Sequence, residues 1–167
     1  MKVSELMAGY TPSDEFAGFA TNDDWVLAVG INLEEEATEK DYTVVQMGIA
    51  GLDPQMNPVK QDKQYIRTGL STSKTGTQRT FAITGDRYIG DAFQDYCFGL
   101  DIAHGVGQAV VVPYVYFSVL TGKGEKGQVS IIVNSDGGGN AGENSAISID
   151  LRSVGTKPTA YSYSVGV

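Results

Sequence analysis

Period-2 alternation of apolar and small or polar residues runs through most of the chain. Trp25, Leu27, Val29, Ile31 and Leu33 alternate with Val26, Ala28, Gly30 and Asn32, which predicts a strand. Residues 42–49 place Thr43, Val45, Met47 and Ile49 on one face of a second strand, and the charged run from Glu34 to Lys40 joins the two. The pair reads as a hairpin with an acidic tip. Phe81 and Ile83 mark a strand within 77–84, and clean alternation returns over 129–133, 147–151 and 161–165. Ala109 to Leu120 is different, because both strand faces are apolar; such a strand is covered on both sides, by its own domain or by a neighbour. The glycine-rich runs Gly122–Gly127 and Asp136–Gly142 read as turns.

One helix is predicted, over about 91–98. Asp91 is a suitable N-cap, Phe93, Tyr96 and Cys97 share a face at i, i+3 and i+4, and Gly99 ends the run. Two stretches carry no periodicity. Residues 1–22 mix small, polar and aromatic side chains and read as an extended arm whose aromatics, Tyr10, Phe16 and Phe19, need cover from elsewhere. Residues 50–76 hold Pro54, Pro58, several glycines and a Ser/Thr cluster, and read as a long loop of the length that usually has a function. The expected fold is a single mainly β domain over 1–167, a sandwich or barrel with one short flanking helix. It carries a long inter-strand loop at 50–76, an N-terminal arm at 1–22 and a C-terminal strand or arm at 156–167.

Composition supports this and excludes several chemistries. Glycine is 21 of 167 residues, about one in eight against an ordinary one in fourteen, as turn-rich β proteins require. A single cysteine, Cys97, and a single histidine, His104, rule out an intrachain disulfide and a Cys/His zinc cluster. Cys97 on a helix face reads as a core residue, and His104 sits in a turn with no partner motif. Gly122-Lys123-Gly124 lacks the following Ser/Thr and helix of a phosphate loop. Asp136 among glycines offers too few oxygens for calcium. No residue pair is marked for acid–base work, so no catalytic, cofactor or metal residue is assigned, and the chain reads as a non-enzyme. The N-terminus lacks a signal-peptide core, and no run is long enough to cross a bilayer, so a cytoplasmic start and no membrane insertion are expected.

Charge is unevenly placed. The net charge is −8, and residues 1–50, with ten acids against two bases, hold all of it. Such acidity argues against phosphate-neutralising nucleic-acid binding. The loop 50–76 is locally basic, with Lys60, Lys63, Arg67 and Lys74 against Asp53 and Asp62. An aromatic arm, a long basic loop and a two-sided apolar strand are each hard to satisfy in a monomer and easy in an assembly.

The stretches Thr84-Gly85-Asp86-Arg87-Tyr88-Ile89-Gly90-Asp91-Ala92-Phe93-Gln94-Asp95-Tyr96, Thr121–Gly127, Ile132–Gly137 and Ala141–Ser145 resemble the tail tube (major tail) proteins of tailed bacteriophages, in particular those infecting Gram-positive bacteria. The resemblance spans roughly residues 20–155. It implies a β-sandwich flanked by a helix, hexameric rings stacked into a hollow tube, and a location in the virion tail after assembly in the host cytoplasm. Implied partners are other copies of the chain, the tape-measure protein, tail terminator and baseplate or tail-tip proteins, with genomic DNA passing through the lumen without specific binding. The 50–76 loop, through Lys60, Lys63, Arg67 and Lys74, would then reach a neighbouring ring. The arms, through Tyr10, Phe16 and Phe19, would bridge subunits. Glu34, Glu35, Glu36 and Asp41 would be left unpaired at the lumen or ring edge, where negative charge repels phosphates. Two other readings fit the same residues: a different ring, baseplate or capsid component, and a β-sandwich module binding carbohydrate or a receptor.

Overall fold

The computed structural model describes residues 1–155 and 157–165. Ten strands and three short helices are seen among them: α1 (Val3–Met7), β1 (Trp25–Val29), β2 (Thr43–Val44), β3 (Ile49–Gln55), β4 (Val59–Tyr65), β5 (Gly69–Gly76), β6 (Thr80–Asp86), α2 (Ala92–Cys97), α3 (Leu100–Ala103), β7 (Val111–Ser118), β8 (Lys123–Ser135), β9 (Ala146–Ser153) and β10 (Thr159–Ser162). The fold is mainly β, as expected, and its main sheet is a curled half-barrel. That sheet is ordered β2-β1-β7-β8-β9-β6-β3, with β4 and β5 forming a separate two-stranded ribbon. All pairings are antiparallel. The long strand β8 pairs β7 along one edge, while its other edge takes β10 against Lys123–Lys126 and β9 against Val129–Ser135.

The sheet's concave and convex faces build two separate apolar clusters. Leu27, Val29, Tyr114 and Tyr116 face a main core with Phe81, Ile83, Ile131, Ile149 and Leu151, closed by Phe93 and Cys97 of α2. Val26, Ala28, Val115 and Phe117 face the opposite way and pack with Val3 and Met7 of α1. Strands β1 and β7 are therefore covered on both sides within one chain. Of the two alternatives for the two-sided apolar strand, cover comes from its own domain, and in β1 Val26 through Val29 are all buried rather than only alternate positions. Burial of Val26, Leu27 and Val29 contributes about 1.5–3 kcal/mol each.

The predicted helix forms as α2, where the Asp91 carboxylate accepts a hydrogen bond from the Gln94 backbone N–H at 3.1 Å. Three other expectations change. Residues 3–7 are not an extended arm but helix α1, because Val3 and Met7, one turn apart, fill the convex cluster. The 50–76 segment is not a loop but nearly all of β3 and the ribbon β4–β5, which projects with both faces in solvent. The run Gly122–Gly127 is not a turn; from Lys123 onward it is strand β8. Gly124 lies opposite Phe117, and a Cβ there would collide with the Tyr116 carbonyl oxygen and Phe117, so glycine permits the strands to approach. The hairpin of β1 and β2 is present but short, with only Ala28↔Val44 and Val29↔Thr43 in register. Of the proposed C-terminal arm, Thr156, Gly166 and Val167 lie outside the described residues, and Thr159–Ser162 joins the sheet as β10.

Candidate assembly surfaces

The ribbon β4–β5 presents the basic residues. Lys60 stands directly across from Lys74, so two like charges face each other on one side of the ribbon. Asp62 is engaged by the Thr72 hydroxyl, which donates to it at 2.6 Å. Lys63 on the other side lies 5.7 Å from the centroid of the Tyr65 ring. Arg67 is at the turn with φ of 68°, a left-handed conformation that is uncommon outside glycine. Among the described residues none of these four cations makes an ion pair. The tip also carries what the sequence reading passed over: Tyr65, Ile66 and Leu70, with Ile66 88% and Leu70 70% exposed. Ile66 beside Arg67-Thr68-Gly69 was the available signal, an apolar residue next to a turn.

At its root the ribbon meets the sheet beside a buried ion pair. Arg79 Nε lies 2.6 Å from Glu125 Oε1, and its guanidinium rests against the paired rings of Phe81 and Tyr116, 4.9 and 5.0 Å from their centroids. Between the two ends of the ribbon, the Gln78 N–H donates to the Met56 carbonyl at 2.9 Å, so the ribbon leaves the sheet through a hydrogen-bonded rung.

The acidic candidates separate into two groups. Glu34, Glu35 and Glu36 are exposed. Asp41 is not unpaired, as the sequence reading had it. It accepts from the Thr38 N–H at 3.0 Å and pairs with Lys2 Nζ at 3.4 Å, and these partners, the backbone bond first, hold its carboxyl below the usual carboxylate range. Glu39 is likewise lowered, chiefly by its 2.7 Å hydrogen bond from Lys126. Glu34 and Glu36 border a groove of about 310 Å³ whose apolar lining is Ile31, Leu33, Ala37 and Ala92.

The segment after α1 is tied down only in its middle. The Ser13 N–H donates to the Leu120 carbonyl at 2.9 Å and Asp14 pairs with Lys123 at 3.2 Å. Tyr10 and Phe16 remain largely exposed, and Phe19 fully so. Cys97 is buried in the main core, where desolvation pushes its thiol up to about 12. His104 is exposed at the end of α3. Among the described residues no group of three or more His, Cys, Asp or Glu is placed to hold a metal, and no helix is long and apolar enough to cross a membrane.

No protein-family model matches the chain, and no curated protein matches its sequence. Solved structures do match its fold. A chain from the tail of an empty gene transfer agent particle, an assembly with C6 symmetry, superimposes with a TM-score of 0.58 at 12% identity, covering 87% of this chain and 100% of that one. A chain from the virion of a native gene transfer agent gives 0.52 at 11% identity, with coverage of 87% and 100%. A sheath–tube complex of an extracellular contractile injection system gives 0.47 at 8% identity over 98% and 99%, too loose a likeness to bear on the fold. The first two show a shared fold: this chain folds like a chain of a gene transfer agent tail and a chain of a gene transfer agent virion.

Proposed function

We propose that the protein is a structural, non-catalytic subunit of a phage-like tail, built of many copies of itself. The observation that carries the reading is the shared fold with a tail component from an assembly of C6 symmetry, over 87% of this chain. The projecting ribbon adds to it, since exposed Tyr65, Ile66 and Leu70 on a surface whose four cations have no ion-pair partner among the described residues suit a partner better than solvent.

The finer reading is a tube protein: hexameric rings stacked into a hollow tube that admits the tape-measure protein and then DNA, capped by terminator and tail-tip proteins. The acidic balance supports passage without binding, since a net charge of −8 disfavours phosphate contact. The narrower likeness to Gram-positive phages rests on the sequence stretches alone. Lys60, Lys63, Arg67 and Lys74 are assigned to contact between subunits, and Tyr10, Phe16 and Phe19 to a bridging arm. With Asp41 paired to Lys2, Glu34, Glu35 and Glu36 are the acids left for the lumen or ring edge. Negative-stain microscopy of the purified protein tests the reading: rings or tubes are expected, and a monodisperse monomer at high concentration contradicts it.

A further inference from the structure

The ribbon tip and the acidic groove are complementary in shape and in charge. The ribbon 59–76 carries Lys60, Lys63, Arg67 and Lys74 against Asp62 alone. Its end presents three exposed apolar side chains around one turn, with Tyr65 on the Lys63 face of the ribbon, Leu70 across from Gln64 on the Lys60–Lys74 face, and Ile66 at the turn itself. The groove has the reverse character. Ile31, Leu33 and Ala37 give it an apolar lining, and Glu34 and Glu36 border it without an ion-pair partner among the described residues. The other acid on its wall, Asp41, is already matched by Lys2. Two uncompensated negative charges thus surround an apolar cleft, and an excess of positive charge surrounds an apolar finger.

The finger does not fill the groove of its own chain, since no ribbon residue lines it. The two also belong to opposite ends of the sheet order: the groove adjoins β2, and the ribbon grows from β3 and β6. We infer that the ribbon tip of one copy docks in the Ile31–Leu33–Ala37 groove of a second copy, with Lys63 and Arg67 meeting Glu34 and Glu36. The inference rests on the self-assembly proposed above and names the surfaces that meet. Finger and groove are different surfaces of one chain, so the contact is heterologous. Each copy gives a tip and offers a groove, and repetition makes a ring or a filament rather than a closed dimer. Docking covers the exposed apolar tip, and supplies anions near a ribbon whose Lys60 and Lys74 repel each other. It also removes Glu34 and Glu36 from the acids facing a lumen.

Short bismaleimide cross-linking tests the contact. Cys97 is buried in the core and does not compete. A chain carrying both Ile66→Cys and Leu33→Cys is expected to form a ladder of dimers, trimers and higher species, while each single variant gives no ladder. Lys63→Glu with Arg67→Glu should raise the concentration needed for association about tenfold or more, equivalent to about 1.4 kcal/mol. Adding Glu34→Lys and Glu36→Lys to that chain should restore it. All four positions are exposed, and circular dichroism confirms the fold of each variant. Wild-type tubes without a ladder, or a four-fold variant no better than the double, would overturn the docking and leave the tail reading standing. A ladder with charge rescue but no tubes would uphold the docking and remove the tube. Absence of both association and ladder removes both.

Discussion

The sheet body and the projecting ribbon obey opposite rules although both are antiparallel β structure. In the body most apolar strand residues are buried, and β1 and β7 are covered on both faces, by the main core on one side and by the cluster around α1 on the other. In the ribbon no residue of β4 is buried, and the only ladder is between β4 and β5. A lone two-stranded hairpin is marginal in water, and within the subunit this ribbon is held at its root by the Gln78–Met56 hydrogen bond. The contrast separates stability from the proposed association: burial in the body folds the subunit, and the exposed ribbon is the part assigned above to contact between subunits.

The sharpest way to break that division is to truncate one aromatic in each part. Phe81, fully buried between Arg79, Tyr114 and Tyr116, should lose about 3–5 kcal/mol of folding stability as Phe81→Ala. Tyr65→Ala at the ribbon tip should stay within about 0.5 kcal/mol. Urea denaturation of the two variants measures both, and a comparable loss at Tyr65 would dissolve the comparison.

A smaller effect is expected at Gln94, the buried polar residue of α2. Its side-chain oxygen accepts from the Tyr88 N–H at 2.9 Å, and its amide donates to the Met47 and Asp86 carbonyls at 2.9 and 3.1 Å. It thus ties the helix to the loop before β3 and the end of β6. Gln94→Leu keeps the bulk but strands those backbone groups, and should cost about 2–3 kcal/mol in the same denaturation experiment.

Least of all is the acid-side dependence at Glu39. Its folded-state carboxyl is held low by Lys126, so its contribution is present above the ordinary Glu value of about 4.3 and is lost as pH falls through the lower folded value. The pair is partly exposed and is worth about 0–1 kcal/mol. Thermal melts of Glu39→Gln between neutral pH and the carboxylate range should show a shallower decline than the parent, and an unchanged decline would remove the assignment.

The division also explains what the sequence disclosed. Where one face is buried and the other wet, as in β9 with Ile147, Ile149 and Leu151 inside, alternation was plain. Helix α2 was legible because cap, spacing and stop coincide at Asp91, Phe93/Cys97 and Gly99. The ribbon was hidden for the opposite reason: Val59-Lys60-Gln61-Asp62-Lys63-Gln64-Tyr65 has no buried face, so no period marks it. The start of β8 was hidden by glycines that serve a close strand contact rather than a turn. Lys60, Lys63, Arg67 and Lys74 were legible as a basic group, but the apolar tip and the acid-bordered groove arise only when the chain folds.

The most direct test of the division is sedimentation velocity of a chain lacking the ribbon. Residues 57–77 can be replaced by a short Gly-Ser turn, because Met56 and Gln78 are already joined by a hydrogen bond. The account predicts a folded, monomeric species at concentrations where the full chain sediments as large assemblies. Assemblies of undiminished size from the ribbonless chain would contradict it.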